Sequence, residues 1–188
     1  ADRNVEVCLD RFTWRMLSHY VSPWEFEQLK KKIQTWDQWC AEWSKAAQRH
    51  VDIGDQAVKA GHVLTAGRAY IRAALYFHWA GFMFVHEQQQ FMAALEAMGK
   101  CWRKAAPLVA PPMELLEIPF EGTTLPGYLR KPVGVASPPL VIMVPGGDST
   151  KEELYDFGDH ILKRGMAVFA FDGPGQGLVS ARLKLRPD

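Results

Sequence analysis

A strand–helix–strand run near the end of the chain most restricts its possible folds. The continuous apolar segment 140–144 is typical of a strand buried on both faces, and the segment 166–172 is predicted as a second buried strand. An S-x-x-E capping box at 149–152 predicts a helix over 150–164 that ends at Gly165. Two strands connected through a helix favour a parallel pair with a right-handed crossover.

The distribution of residue types divides the chain into two parts. All seven tryptophans lie before residue 103, whereas ten of the fifteen glycines lie after residue 120. Pro111 and Pro112 interrupt helix and favour an extended linker between the parts. We therefore predict an all-α domain over 1–110 and a strand-containing domain over 111–188, which together define an α/β fold class.

Helical periodicity marks the first part of the chain. Trp36, Trp39 and Trp43 recur at i, i+3 and i+7, so they share one helix face, and we interpret them as an aromatic core stripe. An alanine-rich helix is predicted over 61–80, and another helix is predicted over 88–104.

Two strands are predicted to open the second part. The segments 113–122 and 124–132 are predicted as two strands around a turn at Gly122. Because proline cannot donate to a strand ladder, Pro119 and Pro126 indicate edge strands.

The charge balance excludes several classes of function. Lysine and arginine number 22 and aspartate and glutamate 21, so no basic excess favours a nucleic-acid or membrane partner. The longest uncharged apolar stretch, 73–85, is too short to span a bilayer, and the N-terminus shows no secretory pattern.

The cysteines are expected to be reduced thiols of a cytoplasmic protein: Cys8, Cys40 and Cys101.

Two glycine-rich loops are candidates for chemistry. The loop 145–149 follows a predicted buried strand and precedes a helix, so its backbone N–H groups could hold a phosphate or a developing oxyanion. A tight strand-to-helix turn explains the same residues equally well. The loop 172–177 matches the dinucleotide glycine fingerprint poorly, and we interpret it as a turn beneath a pocket, with Asp172 bonding loop amides.

Scans for other catalytic and metal-binding motifs are negative. None of the six serines lies in G-x-S-x-G, and no Walker A loop is present. His86 and Glu87 begin a zinc motif, but Gln90 occupies the position of its second histidine. We therefore predict no metal and no cofactor.

The run VIMVPGGDSTKEELYDFGDHILKRGMAVFAFDGPGQG, 141–177, resembles the α/β-hydrolase superfamily. The segment AGRAYIRAALYFHWAGFMF, 66–84, resembles the helical cap that some of these hydrolases carry before the sheet. The resemblance implies an N-terminal cap domain followed by the first strands of an incomplete hydrolase sheet. It also implies a small-molecule substrate and a possible homodimer.

The resemblance further implies a serine nucleophile activated by histidine and aspartate, with loop N–H groups stabilising the oxyanion. Carried onto this chain, the oxyanion-hole backbone is Gly146, Gly147 and Asp148, with Gly147 as the first choice. The substrate-binding candidates in the cap are Arg72, Tyr76 and His78.

Similar capped hydrolases cleave a carbon–carbon bond next to a ketone in aromatic or polyketide-like substrates. Only 16 residues follow Asp172, whereas a further strand–helix–strand unit needs about 30. We therefore expect the triad to lie beyond residue 188 and this chain alone to be inactive. The alternatives are a carboxylesterase of the same fold and a non-catalytic dimerisation or binding module, with a nucleotide-binding domain third.

Overall fold

The computed structural model describes residues 2–84 and 86–186. The helical part comes first and comprises α1 (Arg3–Ser18), α2 (Pro23–Lys32), α3 (Trp36–Lys59), α4 (Val63–Gly81) and α5 (Gln88–Ala105). The strand-containing part follows and comprises β1 (Glu114–Phe120), β2 (Thr123–Arg130), β3 (Leu140–Met143), α6 (Tyr155–Leu162), β4 (Ala167–Phe171) and a 3₁₀ turn (Gly177–Ala181). The predicted order of an all-α part before an α/β sheet is confirmed.

The aromatic stripe of α3 forms part of the core, as its periodicity predicts. Trp39 and Trp43 are fully buried, and the Nε1–H of Trp39 donates a 2.8 Å hydrogen bond to the carbonyl oxygen of Trp79. Trp36 is only partly buried, with its ring centroid 5.1 Å from that of Trp39. Because α4 packs between α3 and α5, it is buried on nearly all sides.

The sheet has the strand order β1–β2–β4–β3. The pairs β1–β2 and β2–β4 are antiparallel, and β3 and β4 are parallel, with Ile142 opposite Phe169. The predicted strand–helix–strand unit is therefore confirmed.

The two proline predictions have different outcomes. Pro119 lies on the edge strand β1, as predicted. Pro126 lies on the interior strand β2, so its assignment to an edge strand is wrong. This proline is tolerated because the ladder between β2 and β4 begins at Gly127, and the carbonyl of Pro126 only accepts a bond, from the N–H of Asp172 at 3.0 Å.

The prediction that segment 140–144 is buried on both faces is wrong. Leu140 and Ile142 are more than half exposed, whereas Met143 on the opposite face is buried. The Met143 side chain lies against α6, close to the Cα of Gly158. Among the described elements, none covers the face that carries Leu140 and Ile142.

The helix between β3 and β4 is shorter than the predicted span of 150–164. It covers Tyr155–Leu162, and the preceding residues form turns. The capping-box prediction is wrong because Ser149 donates its hydroxyl to Glu153, while Glu152 accepts a 2.6 Å bond from Lys151 Nζ. Gly165 closes the C-terminal turn with φ +77°, as predicted.

One continuous apolar core joins the helices to the sheet. The ring of Trp102 in α5 packs against Tyr128 of β2 and Tyr155 of α6, with centroids 5.3 and 5.5 Å apart. The predicted division of the chain near residue 110 falls between α5 and β1 and stays a prediction.

The cysteines are free and buried: Cys8, Cys40 and Cys101. Burial raises the pKa of the Cys8 and Cys101 thiols to about 11, so both are poor nucleophiles at neutral pH.

Of the helices in the described ranges, none combines the length and the apolar character needed to cross a membrane.

Gly67 provides a test of the packing between α4 and the segment that leads to the sheet. A Cβ at this position would lie 2.7 Å from the carbonyl oxygen of Leu108. We expect Gly67→Ala to lower the free energy of unfolding by about 1–2 kcal/mol, although alanine is the better helix former. Urea unfolding of the purified protein measures this difference.

Gly81→Ala is the matched control for this prediction. It adds the same methyl group to the last residue of α4, where the new Cβ would make ordinary contacts with Phe91 at 3.4 Å and Leu95 at 3.7 Å. Equal stability losses in the two variants would contradict the packing explanation.

Candidate active site

A cavity of about 480 Å³ opens at the carboxyl ends of β3 and β4. Residues at the end of α4 and on α5 form an apolar wall that includes Phe82, Phe91 and Leu95. The loops after the two strands form the polar side through residues 147–150 and 175–177. Ligands of α/β proteins bind at this edge of the sheet, so the cavity lies where a substrate is expected.

The loop after β3 brings two uncommitted backbone donors to the cavity. Gly147 and Asp148 both line it. Within residues 2–84 and 86–186, neither N–H group donates a hydrogen bond. Gly146 has a supporting position, because its carbonyl accepts bonds from the N–H of Ser149 at 3.2 Å and from Gln176 at 2.9 Å. The N–H groups of Gly147 and Asp148 therefore both remain available for a further hydrogen bond.

Gln176 connects the two loops. Its Nε2 donates to the carbonyls of Pro145 at 2.6 Å and Gly146 at 2.9 Å, and its Oε1 accepts the N–H of Gly173 at 2.7 Å. Residues 175–177 line the cavity, which agrees with the interpretation of this segment as a turn beneath a pocket.

Asp172 is fully buried at the end of β4, and its carboxylate binds Lys151, which follows the loop after β3. Its two oxygens accept the backbone N–H and the ammonium of Lys151, each at 2.7 Å. Burial raises the pKa of Asp172, and the positive charge of Lys151 opposes that rise. Asp172 thus bonds a loop amide, as predicted, and does not line the cavity.

Arg15 of α1 contacts the loop from the other side. Its guanidinium donates to Asp148 at 2.8 and 3.4 Å and to Glu153 at 2.6 and 2.9 Å. The hydrogen bonds to Glu153 raise the pKa of Arg15; burial opposes this rise, and the bonds to Asp148 add to it. The arginine is therefore charged at neutral pH.

Glu153 is a buried carboxylate next to the cavity. Besides Arg15, it accepts the hydroxyl of Ser149 and lies 3.2 Å from His78 Nε2 and 3.5 Å from His19 Nε2. The His78 contact lies outside hydrogen-bond alignment, so it acts as an ion pair only when the ring is protonated. Burial alone would raise the pKa of Glu153, but these neighbours lower it well below the ordinary value.

The structure brings only one of the three predicted cap residues to the cavity. His78 lines it, with Nδ1 3.4 Å from Thr150 Oγ1. Tyr76 is fully buried elsewhere: its hydroxyl donates to Glu25 at 2.7 Å and accepts the N–H of Ser22 at 3.0 Å. Arg72 also lies away from this cavity. The substrate role of these residues stays a prediction.

Several residues of the site were not predicted from the sequence. Phe91 and Leu95 line the cavity from α5, for which the sequence predicts only a helix. Arg15 and Glu153 meet over a separation of 138 residues, and no local pattern indicates such a pair. Thr150 was predicted only as the first residue of a helix.

The fold and the cavity position define the opening part of an α/β-hydrolase, and comparisons with known proteins agree. A family model described as "Esterase FrsA-like" matches residues 34–188. The chain therefore belongs to the FrsA-like esterase family of α/β-hydrolases.

Curated relatives come from fungi and bacteria. The chain is 40% identical over 174 residues to alpha/beta hydrolase pydG of Acremonium sp, which covers 87% of this chain and 41% of that protein. It is 39% identical over 139 residues to 2,6-dihydropseudooxynicotine hydrolase of Paenarthrobacter nicotinovorans, covering 74% of this chain and 37% of that protein. The chain thus spans about two fifths of these relatives.

A solved structure of a hydrolase is also similar to this chain. The crystal structure of a 2,6-dihydroxy-pseudo-oxynicotine hydrolase matches with a TM-score of 0.77 and 34% identity. The match covers 87% of this chain and 46% of that one.

The depressed pKa of Glu153 predicts a pH-dependent stability. Because its folded pKa lies below the ordinary value of 4.5, the carboxylate stabilises the fold above that pH. The stabilisation is lost as the pH falls through the folded pKa. We expect Glu153→Gln to cost about 1–3 kcal/mol at pH 7, with a difference from wild type that shrinks on acidification below pH 4.5.

Thermal unfolding between pH 7 and pH 3 measures this difference. Glu114→Gln is the control, because it removes a carboxylate from an exposed ion pair with Lys131 at 3.5 Å. A Glu153→Gln deficit that is constant over the whole pH range would contradict the prediction.

Proposed function

We propose that this chain is the N-terminal portion of a serine-type α/β-hydrolase whose nucleophile, acid and histidine follow residue 188. Its reaction would cleave a carbon–carbon bond next to a ketone in an aromatic or polyketide-like small molecule. The observation that carries the proposal is the pair of uncommitted N–H groups, at Gly147 and Asp148, on a loop that lines an apolar-walled cavity.

The two donors suit the charge that develops in such a reaction. When a nucleophile adds to a carbonyl, the carbonyl oxygen becomes an oxyanion that needs preorganised hydrogen-bond donors. The loop is held rigidly by Gln176 on one side and by Arg15 on the other, so the donors need little reorganisation. Gly146 supports the loop through its carbonyl and would not be the main donor.

The cavity walls suit a substrate with a flat apolar body. Phe82, Phe91 and Leu95 offer aromatic and aliphatic surface opposite the polar loops. An aromatic or polyketide-like chain would bury its apolar part against this wall and place its ketone at the loop. The resemblance to carbon–carbon hydrolases and the relative named 2,6-dihydropseudooxynicotine hydrolase support this choice.

Ester hydrolysis is the second candidate. The description of the matching family as FrsA-like esterases favours it. Both reactions use the same oxyanion loop, so the substrate series must separate them. We would assay the full-length protein with matched aryl ketones and aryl esters, and label it with a serine-directed fluorophosphonate.

Faster turnover of the ketones would support carbon–carbon cleavage, and turnover of esters alone would support the esterase. No turnover of either series, together with no labelling, would overturn both and favour a non-catalytic module. A cytoplasmic location and a homodimeric state are also proposed. Fractionation of the producing cells tests the first, and the molar mass of the purified protein in solution tests the second.

Gly147→Pro tests the oxyanion donor directly. Proline removes the N–H at this position, so we expect kcat of the full-length protein to fall by about 100-fold or more. Gly147→Ala keeps the N–H, and no atom lies within 4 Å of the added Cβ, so it should lose far less activity. Similar losses in the two variants would argue against Gly147 as a donor.

A further inference from the structure

We infer that Arg15 is a positioning residue for the oxyanion loop: it fixes the Asp148 side chain through two hydrogen bonds and offsets part of the negative charge of the two carboxylates beside the hole. This inference rests on the proposed function. It assigns a catalytic contribution to α1, a helix that lies before the segment matched by the family model, 34–188.

Arg15 holds the side chains of Asp148 and Glu153 together, and we call these three residues the clamp. The guanidinium uses Nε, Nη1 and Nη2 to form four hydrogen bonds, two to Asp148 and two to Glu153. A planar fork can bind two carboxylates in fixed orientations, whereas an ammonium cannot. The side chain of Asp148 is thereby fixed, while its backbone N–H group donates no hydrogen bond within the described residues.

The arginine is itself held in place by aromatic rings. Its guanidinium carbon lies 5.0 Å from the ring centroid of Phe82 and 5.8 Å from that of Trp79. Phe82 also lines the cavity, so the clamp contacts a residue of the substrate wall. This packing limits the rotamers available to Arg15 and reduces the entropy lost on binding the loop.

The positive charge of Arg15 would also act directly on the oxyanion of the proposed reaction. An oxyanion that develops at Gly147 and Asp148 would be repelled by the carboxylates of Asp148 and Glu153. Within the described ranges, Arg15 is the only permanently charged cation that contacts both. His19 and His78 approach Glu153 alone, and they carry charge only when protonated.

Because Arg15 lies far in sequence from the residues it binds, no local sequence pattern predicts this role. Arg15 lies 133 residues from Asp148 and 138 residues from Glu153. The two carboxylates belong to the loop and turn that follow β3, whereas the arginine comes from the first helix. Only the packing of α1 against this region brings the three together.

Kinetics of the full-length protein, with whichever aryl ketone or aryl ester it turns over fastest, test the inference. Arg15→Gln keeps a polar side chain and removes the charge, and we expect kcat to fall by about 10- to 100-fold with little change in KM. Arg15→Lys should retain more activity than Arg15→Gln, because the charge remains and only the fork is lost.

A second substitution separates the charge effect from a loss of folding. Asp148→Asn in the Arg15→Gln background removes the unpaired carboxylate beside the hole, so it should recover part of kcat. Lys30→Gln is the control, because it breaks a 2.7 Å ion pair with Asp10 between α1 and α2, away from the cavity. That variant should leave kcat unchanged, and the Tm of every variant is measured alongside.

The outcomes distinguish this inference from the proposed function. An unmodified protein without turnover would overturn both. Turnover that is sensitive to Gly147→Pro, together with an Arg15→Gln kcat within twofold of wild type, would overturn the role of Arg15 alone. An Arg15→Gln loss that Asp148→Asn does not relieve would also overturn it.

Discussion

The buried ion pair between Lys151 and Asp172 determines how the loops at the carboxyl edge of the sheet meet. Two charges removed from water are tolerated only when they are paired and hydrogen-bonded, and Asp172 accepts both the backbone N–H and the ammonium of Lys151. The pair leaves no room for a side chain nearby, since a Cβ at Gly177 would lie 2.7 Å from Asp172 Oδ2. The polar side of the cavity is built around this contact.

Features that depend on neighbours in sequence could be predicted. The helix over 61–80 and the strand over 166–172 appear within a few residues of their predicted bounds, because each repeats its apolar pattern over its whole length. The loop 145–149 could be recognised as a candidate site because glycines follow an apolar strand. Whether this loop binds an oxyanion or is a simple turn stays a prediction.

Features that depend on tertiary contacts could not be predicted. The capping box fails because Lys151 recruits Glu152, and the hydroxyl of Ser149 goes to Glu153 instead. The carboxylate of Glu153 in turn binds Arg15, which lies on a helix that has no recognisable motif. In each case, a polar side chain could reach several partners, and the packing of distant elements selects among them.

The two edges of the sheet differ in how they meet solvent. β1 carries Pro119 and the exposed carboxylates of Glu114 and Glu117, which discourage another strand from adding to it. β3, with the sequence LVIM over Leu140–Met143, has no charge and no proline. In the full-length hydrolase proposed above, an apolar edge of this kind suits a further strand of the same sheet, whereas the proline and charges of β1 suit the end of the sheet.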